Sequence, residues 1–397
     1  MSVTPEKEFH NPWDQRASFA PIGSRSLLLS LVIVFLCALA VPLATFHQGA
    51  STLILAVLFL YVATTVRVPF AVAFLLGTVF VITSLTGSLA IGATVLALVV
   101  GTGTAAFLIT SIDVPWTILL LSASAFCFSF AVSLDWRLSL LSFAFLPAAL
   151  LLAVATRRGE IRTTAICFSM AGLLAVIAVG VGGYLYYGSA ARGMEISEFV
   201  FELRDAFFAY LVRKRDESGA ILQAVTQTEF AFNETYTDEV LLAQATQSFY
   251  VFPAICCVFC GVVAFEAQIL LNGLYRSAGW KQVLTPRSMI FTMSLTSAVI
   301  YFVTFVLSMF PMEATMAALV IANLNTMLMP GFLVIGVTML TLTLARSKSG
   351  SKSIWILLIG GLLCCRLDMA LPLVSLFGAN SVVLGTVHQK MKDKQGE

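Results

Sequence analysis

Charged side chains are scarce along this 397-residue sequence, where 11% of residues are Asp, Glu, Lys or Arg and 59% are hydrophobic. A soluble globular domain has about 25% charged residues. So little charge cannot cover the surface of a water-soluble particle of this length. The composition therefore excludes an ordinary soluble domain. The net charge of +2, with its basic residues in short clusters, predicts no nucleic-acid partner.

The apolar runs also lack the polar–apolar alternation of barrel strands, and they recur at 18 residues or more, enough for a helix to cross a hydrocarbon core of about 30 Å. Only helices and closed barrels satisfy their backbone groups in lipid. The sequence therefore predicts an all-α, polytopic integral membrane bundle. Its candidate membrane segments are 26–46, 50–66, 69–86, 88–110, 114–133, 138–156, 163–187, 250–272, 288–310, 314–345 and the final run 353–387.

The final run is too long for one straight crossing, since residues 353–387 would extend about 52 Å at 1.5 Å per residue. Either two short arms meet near Arg366–Pro372, or one span is followed by a helix at the interface. We therefore expect about eleven or twelve membrane segments.

Motifs for catalysis and for cofactors are missing. The three histidines, His10, His47 and His388, lie in the N-terminal tail, in a turn and near the C-terminal end. The sequence has no P-loop, HExxH or GxSxG pattern. Cys257 and Cys260 have CxxC spacing inside an apolar run, where cysteines pack as small hydrophobes. The sequence thus predicts neither an enzyme nor a cofactor or metal site, and primary active transport would need a separate ATPase.

The distribution of Lys and Arg predicts the orientation, because cytoplasmic connections carry an excess of both. If the N-terminus is cytoplasmic and the spans alternate, the basic clusters fall on the inner side: Arg67, Arg157, Arg158, Arg162, Arg276, Lys281, Arg287, Arg346, Lys348 and Lys352. The predicted organisation is a cytoplasmic tail 1–25, a membrane bundle of about seven spans 26–187, an extracytoplasmic segment 188–249, a membrane bundle of four to five segments 250–387, and a basic tail 388–397.

The extracytoplasmic segment 188–249 carries ten acidic and five basic residues. Its apolar residues recur at helical spacing, which predicts an amphipathic helix at the membrane surface or over the bundle: Ile196, Val200, Leu203, Phe207 and Leu211. Thr237, followed by Asp238 and Glu239, has the pattern of a helix N-cap with a negative first turn. The segment is either a structured cap without chemistry or an element that docks a partner or acts as a gate.

Two charges stand in the final apolar run, within LLCCRLDMALPLVSLFG. Arg366 and Asp368 are two residues apart and so lie on nearly opposite sides of a helix. Pro372 lacks the N–H that would bond the carbonyl of Asp368, so we expect a broken or kinked backbone here. Ionisable residues in a membrane cost about 2.5–3.5 kcal/mol each on insertion scales and suggest function. The alternative is a hairpin turn among the headgroups, with both charges in water.

Polar amides mark a second candidate site in ANLNTMLMPG. Asn323 and Asn325 precede Pro330-Gly331 within a long apolar run, as in the discontinuous helices of transporters. The alternative is an interhelical amide bond with an ordinary proline kink, worth about 0.6 kcal/mol on average. Together with Arg366 and Asp368, these two asparagines are the predicted substrate-binding residues.

Glu266 and Gln268 form the third polar group inside a span. They lie toward the inner end of the segment 250–272. We therefore expect their side chains to extend to the membrane interface rather than to form a buried site.

Three stretches of the later half form a basic loop, an Asn-bearing span and a closing helix: LNGLYRSAGWKQVLTP, ANLNTMLMPGFLVIGV and LPLVSLFGANSVVLGTVHQK. In this pattern, over roughly 250–390, the chain resembles the uncharacterised bacterial membrane proteins grouped as DUF2232, or YybS-like. The resemblance implies a bacterial cytoplasmic (inner) membrane location. It also implies a distant similarity of the N-terminal spans to substrate-binding components of energy-coupling-factor vitamin transporters.

These observations favour a transport-related membrane protein that binds a small-molecule solute within its bundle. Its partners would be the lipid bilayer and, for energy, membrane proteins or a separate ATPase. The alternative is a non-catalytic assembly or scaffold protein that docks a partner through 188–249. An intramembrane enzyme ranks last, because we find no nucleophile–base pattern in the sequence.

Overall fold

The computed structural model describes residues 24–46, 48–66, 69–86, 88–112, 115–226, 237–278, 291–310, 316–346 and 367–395. These ranges contain helices and no strand. The predicted all-α class is confirmed.

The helices follow the predicted apolar runs closely, and a short 3-10 turn, Leu140–Phe143, joins the sixth to the seventh. In chain order they are α1 (Ser24–Phe46), α2 (Gln48–Val66), α3 (Pro69–Thr86), α4 (Leu89–Ile112), α5 (Pro115–Ser133), α6 (Trp136–Ser139), α7 (Leu146–Arg157), α8 (Arg162–Arg192), α9 (Ile196–Thr226), α10 (Asp238–Ser277), α11 (Leu295–Ser308), α12 (Met316–Arg346) and α13 (Leu367–Gln395).

Seven helical stretches among the described residues are long and apolar enough to cross a membrane: Ser26–Ala44, Leu89–Ser111, Trp116–Ser133, Trp136–Arg157, Arg162–Arg192, Asp238–Ser277 and Met316–Leu340. Shorter apolar helices lie at Thr52–Thr65, Leu295–Ser308 and Leu371–Thr386. Large apolar side chains also face outward, for example Leu53, Phe80 and Val179, which are 70%, 72% and 78% exposed. A polytopic membrane bundle is thus confirmed. The figure of eleven or twelve segments stays a prediction, because residues 347–366 lie outside the described ranges.

The chain forms two compact units, each discontinuous in sequence. Unit 1 comprises Met1–Val176 and Phe259–Thr292, and unit 2 comprises Ile177–Val258 and Met293–Glu397. Both α8 and α10 contribute one part to each unit. The predicted segments 26–187, 188–249 and 250–387 describe membrane topology rather than packing, and they stay a prediction.

Helix α4 is the centre of unit 1, where it packs against α1, α2, α3 and α7. Small residues of α4 permit this close packing. A Cβ added at Gly101 would lie 3.1 Å from both Cys37 and Phe145, and one at Gly103 would lie 2.8 Å from the carbonyl oxygen of Ala267 on α10. Glycine therefore allows α10 to approach α4 at backbone distance.

Close packing of α12 against α13 organises the membrane part of unit 2. Gly336 and Gly378 lie at the contact, and a Cβ at Gly378 would overlap the carbonyl oxygen of Phe332. Tyr301 on α11 is fully buried beside them, with its ring stacked on Phe332 at 5.1 Å between centroids and its hydroxyl bonded to Ser375.

Helices α8 and α10 are longer than the membrane requires. Their 31 and 40 residues extend about 46 and 60 Å as helices, whereas the hydrocarbon core is about 30 Å thick. Tyr184, Tyr186 and Tyr187 are more than half exposed near the end of α8, as is typical of residues at a membrane interface. Both helices therefore extend into water beyond this level.

The predicted amphipathic helix is confirmed as α9. With residues 184–192 of α8, the cap Thr237 and residues 238–249 of α10, it forms what we name the α9 lobe. Phe199 on α9 is only 1% exposed, and it lies between the ring of Tyr184 (5.8 Å) and the guanidinium of Arg192 (4.8 Å).

Contacts with the start of α10 complete the α9 lobe. Phe207 packs against Phe249 at 6.3 Å between ring centroids, and the guanidinium of Arg215 donates to Asp238 at 2.7 Å. The predicted cap is also confirmed, because Thr237 Oγ1 accepts a hydrogen bond from the N–H of Val240.

One expected interruption is not found in the described helices. Helix α12 continues through Pro330, so the discontinuous-helix interpretation of 322–331 is wrong. Helix α13 begins at Leu367 and contains Pro372. The break or kink expected near Arg366–Pro372 stays a prediction, because residues 347–366 lie outside the described ranges. A proline removes only one backbone donor, and neighbouring groups in a membrane bundle can satisfy the freed carbonyl.

Candidate functional site

Two of the predicted binding residues cannot be placed in a site. Arg366 and the side chain of Asp368 lie outside the part of the chain that the structure describes. Their role as substrate-binding residues stays a prediction.

Asn323 on α12 uses its amide to bind α10. Its Nδ2 donates to the carbonyl oxygens of Tyr250 (3.0 Å) and Leu319 (2.9 Å), and its Oδ1 accepts from the N–H of Ala254 (3.3 Å). Tyr250 and Ala254 are four residues apart, in the turn that contains Pro253. These bonds support the interhelical amide interpretation, because both amide donors are already engaged within the protein.

Asn325 lies on another side of α12, since two residues turn a helix by about 200°. Its Oδ1 is buried, and it has no hydrogen-bond partner among the described residues. The structure thus does not bring Asn323 and Asn325 together on one face. An unsatisfied buried acceptor costs about 1–3 kcal/mol, so Asn325 remains a candidate for binding a hydrogen-bond donor.

The clearest polar site lies in unit 1, around Glu266 on α10. The side chains of Glu266 and Gln268 are buried, each only 4% exposed. The hydroxyl of Thr78 on α3 donates to Oε1 of Glu266 at 2.6 Å. The second oxygen, Oε2, is buried without a hydrogen-bond partner among the described residues. The expectation that Glu266 extends to the membrane interface is therefore wrong. Gln268 is bonded to Arg162 at the start of α8, and its position relative to the interface stays a prediction.

Glu266 is buried because of its position within the bundle. Thr78 lies near the middle of α3, and Ala267 lies against Gly103 in the central part of α4. Tyr275, whose hydroxyl is hydrogen-bonded to that of Thr110 (2.7 Å), is nearer the end of α10. It lies nine residues, or about 13 Å, beyond Glu266. The carboxyl is thus enclosed by three helices well inside unit 1.

Gln268 connects this region to a half-buried cation, Arg162. Its Oε1 accepts from Nε of Arg162 at 3.0 Å, and the guanidinium lies over the ring of Phe265 at 4.7 Å. Cation–π contact and the amide acceptor both stabilise the half-buried guanidinium. Arg162 is therefore engaged by Gln268 and Phe265, and it forms no ion pair with Glu266 in the described part of the chain.

Basic and polar groups gather at one end of unit 1. Arg157, in the last turn of α7, donates to the carbonyl oxygen of Ile109, close to the Thr110–Tyr275 pair. Arg162 begins α8 nearby. The ends of α4, α7 and α10 and the start of α8 thus lie on one side, as the alternation of spans requires. Which side of the membrane this is stays a prediction.

The chemistry available at Glu266 is that of a single acidic group. The described residues contain no group of three or more His, Cys, Asp or Glu that could hold a metal ion. A lone buried carboxylate is strongly disfavoured in an apolar medium, so its charge has to be neutralised by a proton or a cationic ligand. The open Oε2 is the atom that would accept it.

The sequence contains the signal for this site but does not show how deeply the carboxyl is buried. An acidic residue inside an apolar run is by itself a candidate functional residue. The hydrogen bond to Thr78, 188 residues away in the sequence, could not be anticipated from local patterns.

No protein-family model, curated protein or solved structure matches the chain. The resemblance of residues 250–390 to the DUF2232 family thus rests on the quoted stretches alone.

Proposed function

We propose that this chain is a transport-type, multi-pass membrane protein that binds a small solute within unit 1, beside Glu266. The observation that supports it is the Glu266 carboxyl, which is buried among apolar helices and has one oxygen without a partner among the described residues. Buried ionisable groups are costly in membranes and by default indicate a substrate or ion pathway.

The chemistry of the site indicates the class of solute. Glu266 presents an acceptor oxygen in apolar surroundings, so the solute would carry a cationic group or a hydrogen-bond donor and an otherwise modest polar surface. The proposal includes a bacterial cytoplasmic membrane location with a cytoplasmic N-terminus. Energy would come from an ion gradient or a separate ATPase.

The predicted residues Asn323, Asn325, Arg366 and Asp368 all belong to unit 2. Their role as one solute-binding site is a separate prediction from the site at Glu266. Of these, Asn325 is the one whose described side chain retains an open acceptor.

Access of water-soluble molecules to Thr78 tests the proposal. The Thr78→Cys variant is made in a background in which the eight native cysteines are replaced by alanine or serine. Membranes are treated from both sides with a charged methanethiosulfonate reagent. We expect the thiol of this variant to react, because a solute site must open to water.

Two control variants give the reactivity of a thiol in water and of a thiol in lipid. Glu202→Cys, on the exposed side of α9, should react fully, and Val179→Cys, which faces lipid, should not. If Thr78→Cys is as unreactive as Val179→Cys, no solute reaches Glu266 and the proposed function is rejected.

The second candidate is a non-catalytic assembly or scaffold protein that docks a partner through 188–249. The observation that favours it is the apolar surface of the α9 lobe, where Ile196, Phe201 and Val240 are 48%, 57% and 47% exposed. A photocrosslinker at Phe201 that captures one defined membrane partner, in cells where Thr78→Cys is unreactive, would favour this role.

A further inference from the structure

We propose that Oε2 of Glu266 is a reversible proton-binding site inside unit 1. The inference deepens the proposed function and rests on it, since a proton bound there would be the ion coupled to solute movement. Glu266 itself is buried, and its carboxyl forms a single hydrogen bond, from Thr78, among the described residues.

The two oxygens of the carboxyl are already distinguished by their surroundings. Oε1 accepts the hydroxyl proton of Thr78 at 2.6 Å, as a carbonyl oxygen of a neutral acid does. Oε2 has no donor directed at it within the described residues. The added proton therefore bonds to Oε2. The step is COO⁻ + H⁺ → COOH, and it needs no other reactant.

A metal ion fits the site less well than a proton. Hard cations such as Ca²⁺ take about six to eight oxygen ligands, and Mg²⁺ takes an octahedral set. The described surroundings of Glu266 supply the carboxyl and the hydroxyl of Thr78, and no second acidic group completes a metal site in the described ranges. A proton needs one oxygen, and Oε2 provides it.

The ionisable groups on the helices around Glu266 are few. Helices α3 and α4 contain no ionisable side chain, and residues 291–292, where Phe291 packs against Phe265, add none. Helix α7 carries Arg157, and α8 carries Arg162 and the exposed Cys167. On α10 itself the nearest are Cys260, Tyr275 and Arg276. Arg162 is directed at Gln268, and Oε2 of Glu266 has no hydrogen-bond partner among the described residues.

Infrared difference spectroscopy of the full chain in lipid nanodiscs tests the site. Spectra are recorded from about pH 5 to about pH 9, the range in which carboxyl and histidine groups of altered environment titrate. We expect a C=O stretching band that changes with pH in the wild type and is lost in Glu266→Gln. Glu239→Gln, at an exposed position of the α9 lobe, should retain the band.

A second variant tests the assignment of the oxygens. Thr78→Val removes the donor to Oε1, so the band should move to higher wavenumber, because a carbonyl that loses a hydrogen bond has a stiffer C=O bond. If the frequency does not change, the carbonyl oxygen is not Oε1 and the assignment fails.

Three results overturn the proposal. They are a spectrum with no band that depends on Glu266, a band whose intensity is constant over the pH range, and a band that disappears at constant pH when Na⁺ replaces K⁺. The failure of this inference is separable from that of the proposed function. A titrating band with an unreactive Thr78→Cys variant keeps the proton site and removes the solute, whereas a reactive variant without a band does the reverse.

Discussion

Asn323 is bonded to the turn of α10 that contains Pro253, through the carbonyl of Tyr250 and the N–H of Ala254. Proline weakens this turn because it has no N–H to donate. The amide of Asn323 supplies a donor and an acceptor to the same turn and joins α12 to α10. Both helices are thereby fixed within unit 2.

Replacing Asn323 should destabilise unit 2. Interhelical hydrogen bonds in membranes contribute about 0.6 kcal/mol each on average, so we expect Asn323→Ala to lower the free energy of unfolding by about 1–2 kcal/mol. Asn325→Ala is the matched control, because Oδ1 of Asn325 has no described partner to lose. Denaturant unfolding in mixed micelles measures both. An equal or larger loss for Asn325→Ala would contradict the assignment of Asn323.

Two glycines of α13 should respond in opposite directions to alanine. A Cβ at Gly378 would overlap the carbonyl of Phe332, whereas one at Gly385 has nothing within 4 Å. We expect Gly378→Ala to cost about 1–3 kcal/mol through overpacking. Gly385→Ala should be neutral or stabilise by up to about 1 kcal/mol through helix propensity. Thermal unfolding of both variants in the same detergent gives the comparison, and similar effects would show that α12 and α13 are not closely packed.

The α9 lobe should depend on one phenylalanine. Phe199 is 1% exposed and packs against Tyr184 and Arg192, while Phe201 is 57% exposed. A buried Phe→Ala change costs about 3–5 kcal/mol. We therefore expect Phe199→Ala to release α9, seen as rapid amide hydrogen exchange over Ile196–Thr226. Phe201→Ala should leave the exchange of α9 nearly unchanged, and fast exchange in both variants would mean that the lobe is held by other contacts.

The ion pair between Lys214 and Glu217 on α9 should lower the pH at which the Glu217 carboxyl titrates. The hydrogen bond from Lys214, at 2.8 Å, lowers the pKa of the Glu217 carboxyl. A lowered pKa in the folded state stabilises the protein at neutral pH. This contribution is lost as the pH falls from about 4.3, the ordinary value, through the lower folded value. NMR titration of Glu217 should show a midpoint that is higher in Lys214→Met than in the wild type. The midpoint in Arg204→Met should equal that of the wild type. An unchanged midpoint in Lys214→Met would contradict the pair.

Structural elements that depend on residues close in the sequence could be predicted, and those that depend on contacts between distant residues could not. The apolar runs gave the helices, and the spacing of Val200, Leu203 and Phe207 predicted α9. Thr237 predicted the start of α10. Each of these depends on neighbours within a turn or two of helix. The continuity of α12 through Pro330 was missed, because satisfaction of freed carbonyls depends on the surrounding bundle.

The site was identified only in part from the sequence, for the same reason. Glu266 was recognised as an ionisable residue within a span, but its depth depends on Thr78 and on Gly103, which lie on other helices. Asn323 was recognised as an amide beside a helix breaker. Asn323 bonds the turn of α10 that contains the helix breaker Pro253, through Tyr250 and Ala254.

If the carboxyl of Glu266 serves binding rather than folding, its removal should not destabilise the protein. One oxygen has no described partner, and a buried polar group that lacks its bonds costs free energy. We therefore expect Glu266→Met, which keeps a similar volume, to leave the free energy of unfolding unchanged or to raise it by about 1 kcal/mol. Gln268→Met, two residues further along α10, is the matched control. It removes the acceptor of the half-buried Arg162 guanidinium and should cost about 1–3 kcal/mol. If Glu266→Met instead loses as much as Gln268→Met in the same unfolding assay, the carboxyl is a structural hydrogen-bonding group, and its burial no longer supports a binding role.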